Sequence, residues 1–383
     1  MKKYYIFILF FTISFFSGCQ TAEENNIVRI PFSFEGKLGY LNSALQVVIK
    51  PQYSNFMNPL YSVHFSAEGY AVVRFDSGHS KTAIIDTNGT EVLSLSKGWI
   101  SYVCGDLYHI EDTNISRIKN NYIIRLKDKK IIAKQTDYTG PASKDEYILG
   151  AFFKEGDWKC FIDSGGNRVL MNLILGSSSY SFFEQRAVVC NYIAKHDWDK
   201  TWIIDTKGNT VGNILFKFLG NRFSEGLLPA WSKDERKGYV NKSGEFEFTL
   251  PSLVMYGWGS LAATEFSDGY AAFQTGESPD IWRIINNKGQ MVSENLYVTE
   301  MEKFSDGLSL VWVYNQKLGE NRGGYVNTSG EYLVKPVLDD ADDFHNGYAR
   351  IKYNGREGLI KTNGKVIWSS NIMQGIITEE ELQ

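Results

Sequence analysis

The 383-residue sequence has few of the groups that most catalytic sites use. Histidine occurs five times, as His64, His79, His109, His196 and His345, and no two of them stand at metal-ligand spacing. There is no His-Glu-x-x-His helix, no Gly-x-Ser-x-Gly elbow and no Gly-x-x-x-x-Gly-Lys phosphate loop. Their absence removes the usual signatures of zinc proteases, serine hydrolases and P-loop enzymes. Lys and Arg number 40 against 44 Asp and Glu, for a formal charge of −4; a nucleic-acid binder needs a basic patch that this balance does not supply. After the first sixteen residues no apolar run is long enough to span a bilayer. The reading therefore assigns no catalytic residue, no metal and no cofactor.

Cysteine is also scarce. Besides Cys19 there are Cys104, Cys160 and Cys190, an odd number that makes no disulfide framework and fits no zinc spacing. Each lies in an apolar, strand-like run (YVCGD, WKCFID, AVVCN), as a buried thiol would.

The N-terminus carries the clearest local signal. Lys2 and Lys3 precede the apolar run Tyr4 to Phe16, and Ser17-Gly18 lead into Cys19. A run this short falls below the roughly 20 residues of a membrane span and suits the h-region of a signal peptide. The segment resembles the lipobox of bacterial lipoproteins, in which the cysteine becomes the lipidated first residue, although Phe16 stands where that family usually has Leu. The resemblance implies residues 1–18 as signal peptide, lipidation at Cys19 and an outer-membrane lipoprotein that faces the periplasm or the cell surface. Residues 19–28 read as the lipidated cysteine and a polar tether, and 369–383 as an acidic tail.

Glycine (35), tyrosine (22) and phenylalanine (24) are plentiful, whereas proline (8) is not. Aromatic residues suit half-buried pleated surfaces and glycine punctuates turns, so the bias is toward all-β. One element recurs: two aliphatic residues, Asp or Asn, two small or polar residues, then Gly. It occurs as Ile84 to Gly89, Ile203 to Gly208, Tyr239 to Gly244, Ile284 to Gly289 and Tyr325 to Gly330, with variants at Phe161 to Gly166 and at Leu359 to Gly364, where Lys361 replaces the Asx. Asp or Asn caps the backbone amides of such a turn, and Gly takes the positive φ that reverses the chain. Decayed copies lie at Gly39 to Ala44 and around Lys129.

A second element precedes the hairpins: Phe223-Ser-Glu-Gly226, Phe266-Ser-Asp-Gly269, Phe304-Ser-Asp-Gly307, Phe344-His-Asn-Gly347 and a stretched Phe65 to Gly69. The Phe reads as a core anchor and the rest as a turn into a further strand. The period is roughly 40 residues, so residues 29–368 hold about nine such units. A unit this small must stack on its neighbours.

The pattern Phe-x-Asp/Glu-Gly, then Gly-Tyr-Val-Asx-x-x-Gly, then Lys-Pro as at Lys50-Pro51 and Lys335-Pro336, resembles the WG (KWG) β-repeat family of bacterial proteins. The Trp-Gly dipeptide that names that family is replaced here by Leu38-Gly39, Lys237-Gly238, Gly323-Gly324 and Glu357-Gly358. The resemblance implies a repeat scaffold and no single activity. About nine three-stranded antiparallel meanders are expected to form an open superhelical β-repeat, with a β-propeller as the alternative, since propellers usually have about four to eight blades.

The run Asp339-Asp340-Ala341-Asp342-Asp343 reads as a solvated acidic turn, and the lone histidines as surface residues. Gly257 to Ala262 only loosely echoes a dinucleotide fingerprint. Trp198 and Trp202, with Asp197 and Asp199, sit in an expected long hairpin loop and form a candidate ligand platform, whereas Trp231, Trp258, Trp282 and Trp312 suit a core. The functional expectation is an envelope-anchored, non-catalytic binding or scaffolding protein. It would be tied to the membrane by lipid, hold a protein or glycan partner and bind no nucleic acid. The alternative is a glycan-active hydrolase with scattered carboxylates on a propeller-like body.

Overall fold

The computed structural model describes residues 28–55, 63–76, 81–112, 121–134, 136–138, 148–152, 158–170, 180–190, 201–254, 261–276 and 281–382. The described strands form eight antiparallel sheets that follow one another along the chain. The first holds β1 (Ile30–Phe34), β2 (Lys37–Leu41) and β3 (Val47–Ser54), and the second β4 (Tyr70–Arg74), β5 (Thr82–Asp86) and β6 (Glu91–Leu95). Four-stranded sheets follow, from β7 (Gly98–Cys104), β8 (Leu107–Asp112), β9 (Asn121–Arg125) and β10 (Lys130–Lys134), then β11 (Thr136–Tyr138), β12 (Ile148–Phe152), β13 (Trp158–Ile162) and β14 (Arg168–Val169).

The fifth sheet has six strands: β15 (Arg186–Cys190), β16 (Thr201–Asp205), β17 (Thr210–Leu219), β18 (Leu227–Ser232), β19 (Lys237–Asn241) and β20 (Phe246–Thr249). Two meanders share it, because the start of β17 pairs with β16 and its end with β18. Next come the pair β21 (Tyr270–Thr275) and β22 (Ile281–Asn286), then β23 (Glu300–Met301), β24 (Leu308–Asn315), β25 (Glu320–Asn327) and β26 (Tyr332–Leu338). The last sheet is β27 (Asp340–Ala341), β28 (Tyr348–Tyr353), β29 (Arg356–Lys361) and β30 (Val366–Trp368), followed by the short helix α1 (Ser369–Met373). A full unit is thus a short lead strand and a three-stranded meander.

Local chemistry explains the hairpins. In the turn after β5, Asp86 Oδ1 accepts from the main-chain N–H groups of Asn88 and Thr90, both at 2.9 Å. Asp205, Asn286 and Asn327 make the same pair of bonds. The decayed copy near Lys129 still turns, joining β9 to β10 with Lys129 at φ 52°.

The Gly-Tyr step has a different cause. A Cβ on Gly324 would stand 2.6 Å from the Val334 carbonyl oxygen and 2.8 Å from the Pro336 nitrogen; one on Gly39 would meet Ile49 and Pro51 in the same way. The following strand crosses here with a slip in register, so glycine and the Lys-Pro segment belong to one contact.

The tyrosine that follows is a latch between units. Tyr325 is fully buried, and its hydroxyl donates to the Asp342 carbonyl at 2.6 Å while its ring meets Phe344 edge-on at 4.8 Å. Tyr239 repeats this with Thr264 and Phe266, and Tyr40 with Val63 and Phe65. Each ring packs and each hydroxyl is satisfied, as buried tyrosine requires.

The units close into a β-propeller, not the open superhelix expected from the repeat. Apolar clusters join every successive pair of units. A further cluster joins last to first: Leu359, Ile367 and Ile372 pack on Ile30, Phe32, Leu41 and Leu45. An open array would leave both of these faces in water, and closure buries them against each other. Polar groups reinforce the seam. Arg350, only 3% exposed, pairs with Asp342 at 2.5 Å and reaches Ser33 and Asn55 of the first unit.

The acidic run 339–343 is therefore no solvated turn. It contains β27, Asp339 pairs with Arg322 and Asp342 with Arg350, because the preceding strand runs straight into the lead strand of the last unit. At the C-terminus Glu380 forms a two-way main-chain bridge with Val366, and Lys361 pairs with Glu379 at 2.7 Å, so the tail covers the edge of β30. Cys104 and Cys160 are both buried in the cluster between the third and fourth units.

Candidate functional site

From the fifth unit to the last, the lead strand enters its meander through a two-residue turn in which both residues have positive φ. The pairs are Glu184-Gln185, Glu225-Gly226, Asp268-Gly269, Asp306-Gly307 and Asn346-Gly347, with the first residue near 52–54° in each. This is the type I′ geometry that suits the twist of a tight hairpin. It also points the first side chain at the next unit. Glu184 accepts from the Gly226 N–H at 2.9 Å, Glu225 from Gly269 at 3.1 Å, Asp268 from Gly307 at 2.8 Å and Asp306 from Gly347 at 2.7 Å. A ladder of carboxylate–amide bonds thus runs from unit to unit, each rung charge-assisted.

The ladder ends at Asn346. The first unit has no lead strand among the described residues; Val28 and Arg29 run directly into β1. Where its turn would stand is a cavity of about 520 Å³, which Arg29, Glu68, Tyr70, Asp86, His345 and Asn346 help to line. That volume lies within the usual range of small-ligand sites. The second unit's turn is longer than the others, closing from Ser66 to Tyr70, and forms the far wall.

Arg29 is held by its own surroundings: Nε donates to the Thr87 carbonyl at 2.7 Å and Nη1 to that of Val28 at 3.2 Å. Its Nη2 has no hydrogen-bond partner among the described residues, nor has the Asn346 side chain, which occupies the position of the four ladder carboxylates. Asp86 is committed to its turn. Beside the cavity the imidazoles of His64 and His345 meet at 4.1 Å, tilted by 46°, joining the second unit to the last. Burial, then His345 and Arg350, pushes His64 down to about 3. Burial also lowers His345, against the pull of Asp306. Both rings are thus neutral at neutral pH; His345 is exposed as expected but not lone, whereas His64 is half-buried and His109 is buried in β8.

A second titratable group lies between the last two units. Burial, with Asp343 and Glu300, raises Glu302 to about 7; Asp343 is raised by burial, opposed by Lys303. Asp342 is raised by burial against the pull of Arg350. Perturbed carboxylates are one mark of functional sites, although structural networks also produce them.

Of the candidates chosen from sequence, Trp202 lies half-buried in β16, opposite Val189 and against the cluster of Phe161, Phe182 and Ile204. Cys19, Asp197, Trp198 and Asp199 lie outside the described residues, as do Trp258 and the side chain of Cys190. Trp282 is buried, and Trp231 and Trp312 are half-buried. Arg29 and Asn346 were missed. The available signal was Asn in place of acid in the last turn.

The ring, its latches and its turn ladder define a repeat-built β-propeller. Residues 324–356 match the family described as WG containing repeat. This chain therefore carries a WG-type repeat in its last two units. The matched stretch starts at the latch Gly324-Tyr325, passes through Lys335-Pro336 and ends in β29, so one sequence repeat joins two sheets. No curated protein matches the chain. Among solved structures it is similar to one titled as the eukaryotic initiation factor, at a TM-score of 0.55 and 9% identity, covering 89% of this chain and 94% of that one. That likeness concerns the fold alone. Weaker similarities include BamB from Moraxella catarrhalis (TM-score 0.40, 12% identity, covering 74% and 93%). Another is the β-propeller domain of the Trilobed protease from Pyrococcus furiosus (0.37, 9%, covering 89% and 97%).

Proposed function

We propose that the protein is an envelope-anchored, non-catalytic binding scaffold, held to the outer membrane by a lipid on Cys19, whose propeller presents a protein- or glycan-binding surface. The observation that carries this reading is the interrupted ladder. In the fifth to eighth units the turn carboxylates are consumed in holding the ring, whereas at the seam Arg29 and Asn346 keep donors and acceptors unused among the described residues, around a cavity. Capture experiments with the mature chain on envelope extracts, beside glycan arrays, test it. One partner or glycan, retained by the wild type and lost by an Arg29→Ala, Asn346→Ala variant, is the expected outcome. No retained partner in either format overturns it. The anchor is tested separately: Cys19→Ser is expected to abolish incorporation of labelled fatty acid and to release the protein from membranes.

A second reading, a glycan-active hydrolase, draws on Glu302, whose raised proton affinity beside Asp343 suits a general acid. Hydrolysis of any glycan that is abolished by Glu302→Gln would favour it over the scaffold.

A further inference from the structure

We infer that the seam cavity is a receptor for a tight acidic turn, Asp-Gly or Glu-Gly, presented by a partner polypeptide. This inference rests on the binding-scaffold reading and names the partner's chemistry at the same site. The ring supplies its own template. Four times a carboxylate in one unit accepts the Gly N–H of a two-residue turn in the next, and each arriving turn brings the carboxylate or amide that occupies the following position. At the seam the receiving residue, Asn346, is in place with the same positive φ of 53°, but the described residues offer it no turn.

What replaces the turn is space and an unsaturated cation. Arg29 also lines the cavity, fixed through Nε and Nη1, with Nη2 still able to donate. An inserted turn would place its Gly N–H on Asn346 Oδ1 and its carboxylate on Arg29. A neutral amide as receiver has a physical reason: a further carboxylate beside Glu68 and Asp86 would repel the incoming acid, whereas Asn accepts the N–H without that cost. A guanidinium held by two carbonyls is also preorganised for a carboxylate. The arrangement favours a polypeptide turn over a sugar, because the position that Asn346 occupies takes a turn Gly N–H at every other rung and Arg29 adds a cation for the turn's carboxylate.

The probe is a cyclised hairpin peptide copying residues 302–310 of the chain, with its Ser-Asp-Gly turn, titrated into the mature protein by fluorescence anisotropy. Saturable binding is expected, weakened about tenfold by Asp→Asn in the peptide or by Arg29→Ala in the protein. The two changes combined should weaken it little further, because both break the same contact. Asn346→Ala should weaken the Asp and Asn peptides equally. A Gly→Val peptide, which cannot adopt the turn, should not bind. Unchanged melting curves for both protein variants separate lost binding from lost folding. No saturation up to about 1 mM, or losses at Arg29 and the peptide Asp that simply add, would overturn the inference. A captured partner that ignores the Arg29 and Asn346 variants would overturn it while leaving the scaffold reading intact.

Discussion

The latch tyrosines allow the ring's cohesion to be measured one bond at a time. Tyr325→Phe removes one hydroxyl and keeps the ring against Phe344. The Asp342 carbonyl, which receives that hydroxyl at 2.6 Å, then faces a buried aromatic edge without a donor. An acceptor stranded in this way costs about 1–3 kcal/mol, more than the bond's mean net contribution of roughly 1 kcal/mol. Tyr325→Leu loses the hydroxyl and also the edge-on contact, itself worth about 0.5–1.5 kcal/mol, and leaves a void, for a total of roughly 3–5 kcal/mol. Tyr40→Phe and Tyr239→Phe test the same bond at two other junctions, each of them between a different pair of units. Sites so separated should add within about 0.5 kcal/mol. Urea unfolding followed by tryptophan fluorescence gives the global cost, and amide exchange in β25 and β28 shows whether the affected junction opens first. If all three Phe variants stay within about 0.5 kcal/mol of wild type, the hydroxyls do not hold the units together and the latch argument is wrong.

Other consequences are equally direct. Gly324→Ala places a methyl within 2.6 Å of main-chain oxygen, so β25 and β26 must separate, and soluble yield and melting temperature should fall sharply; Gly323→Ala, which meets side chains alone, the Trp312 ring at 3.2 Å and Ala341 at 3.6 Å, should be milder. Acidification should weaken the seam. His64 has its folded value lowered from 6.5 to about 3, so the stability it contributes is present above 6.5 and lost as pH falls toward 3. The full shift corresponds to roughly 5 kcal/mol, and its partial exposure reduces this to about 2 kcal/mol. His64→Phe should flatten that limb of the stability–pH curve. Glu302 has the opposite sign: its value rises from 4.5 to about 7, so its contribution is present below 4.5 and lost as pH climbs through 7, and Glu302→Gln should flatten the neutral limb. Truncation after Gln374 removes the Glu380 bridge and the Glu379 ion pair, exposes the edge of β30 and should promote self-association in light scattering.

Much of the fold could be read from sequence where the cause is local. The Asx-x-x-Gly hairpins were legible because the side chain that caps the turn lies within four residues of the amides it binds. The anchors Phe223, Phe266, Phe304 and Phe344 were legible as core for a similar reason, since each precedes a turn that must bring it inward; all four are at most 2% exposed. The latch role of Tyr325 was not, because its acceptor is the main chain of the next unit. The acidic run 339–343 was misread since Asp-rich segments suit turns, and only the partners Arg322 and Arg350 make a strand of it. The roles of Arg29 and Asn346 at the seam were invisible because the ring's turn ladder is a property of five units together.

The sequence by itself therefore determined an all-β chain of turn-punctuated meanders, because hairpin chemistry and apolar alternation act over a few residues. Only the tertiary structure decided that the chain of units closes. Closure depends on a small rotation accumulated over every junction, and on Leu359, Ile367 and Arg350 meeting a first unit more than three hundred residues earlier. The same closure decided where the cavity stands, since it is lined by the first and second units together with His345 and Asn346 of the last.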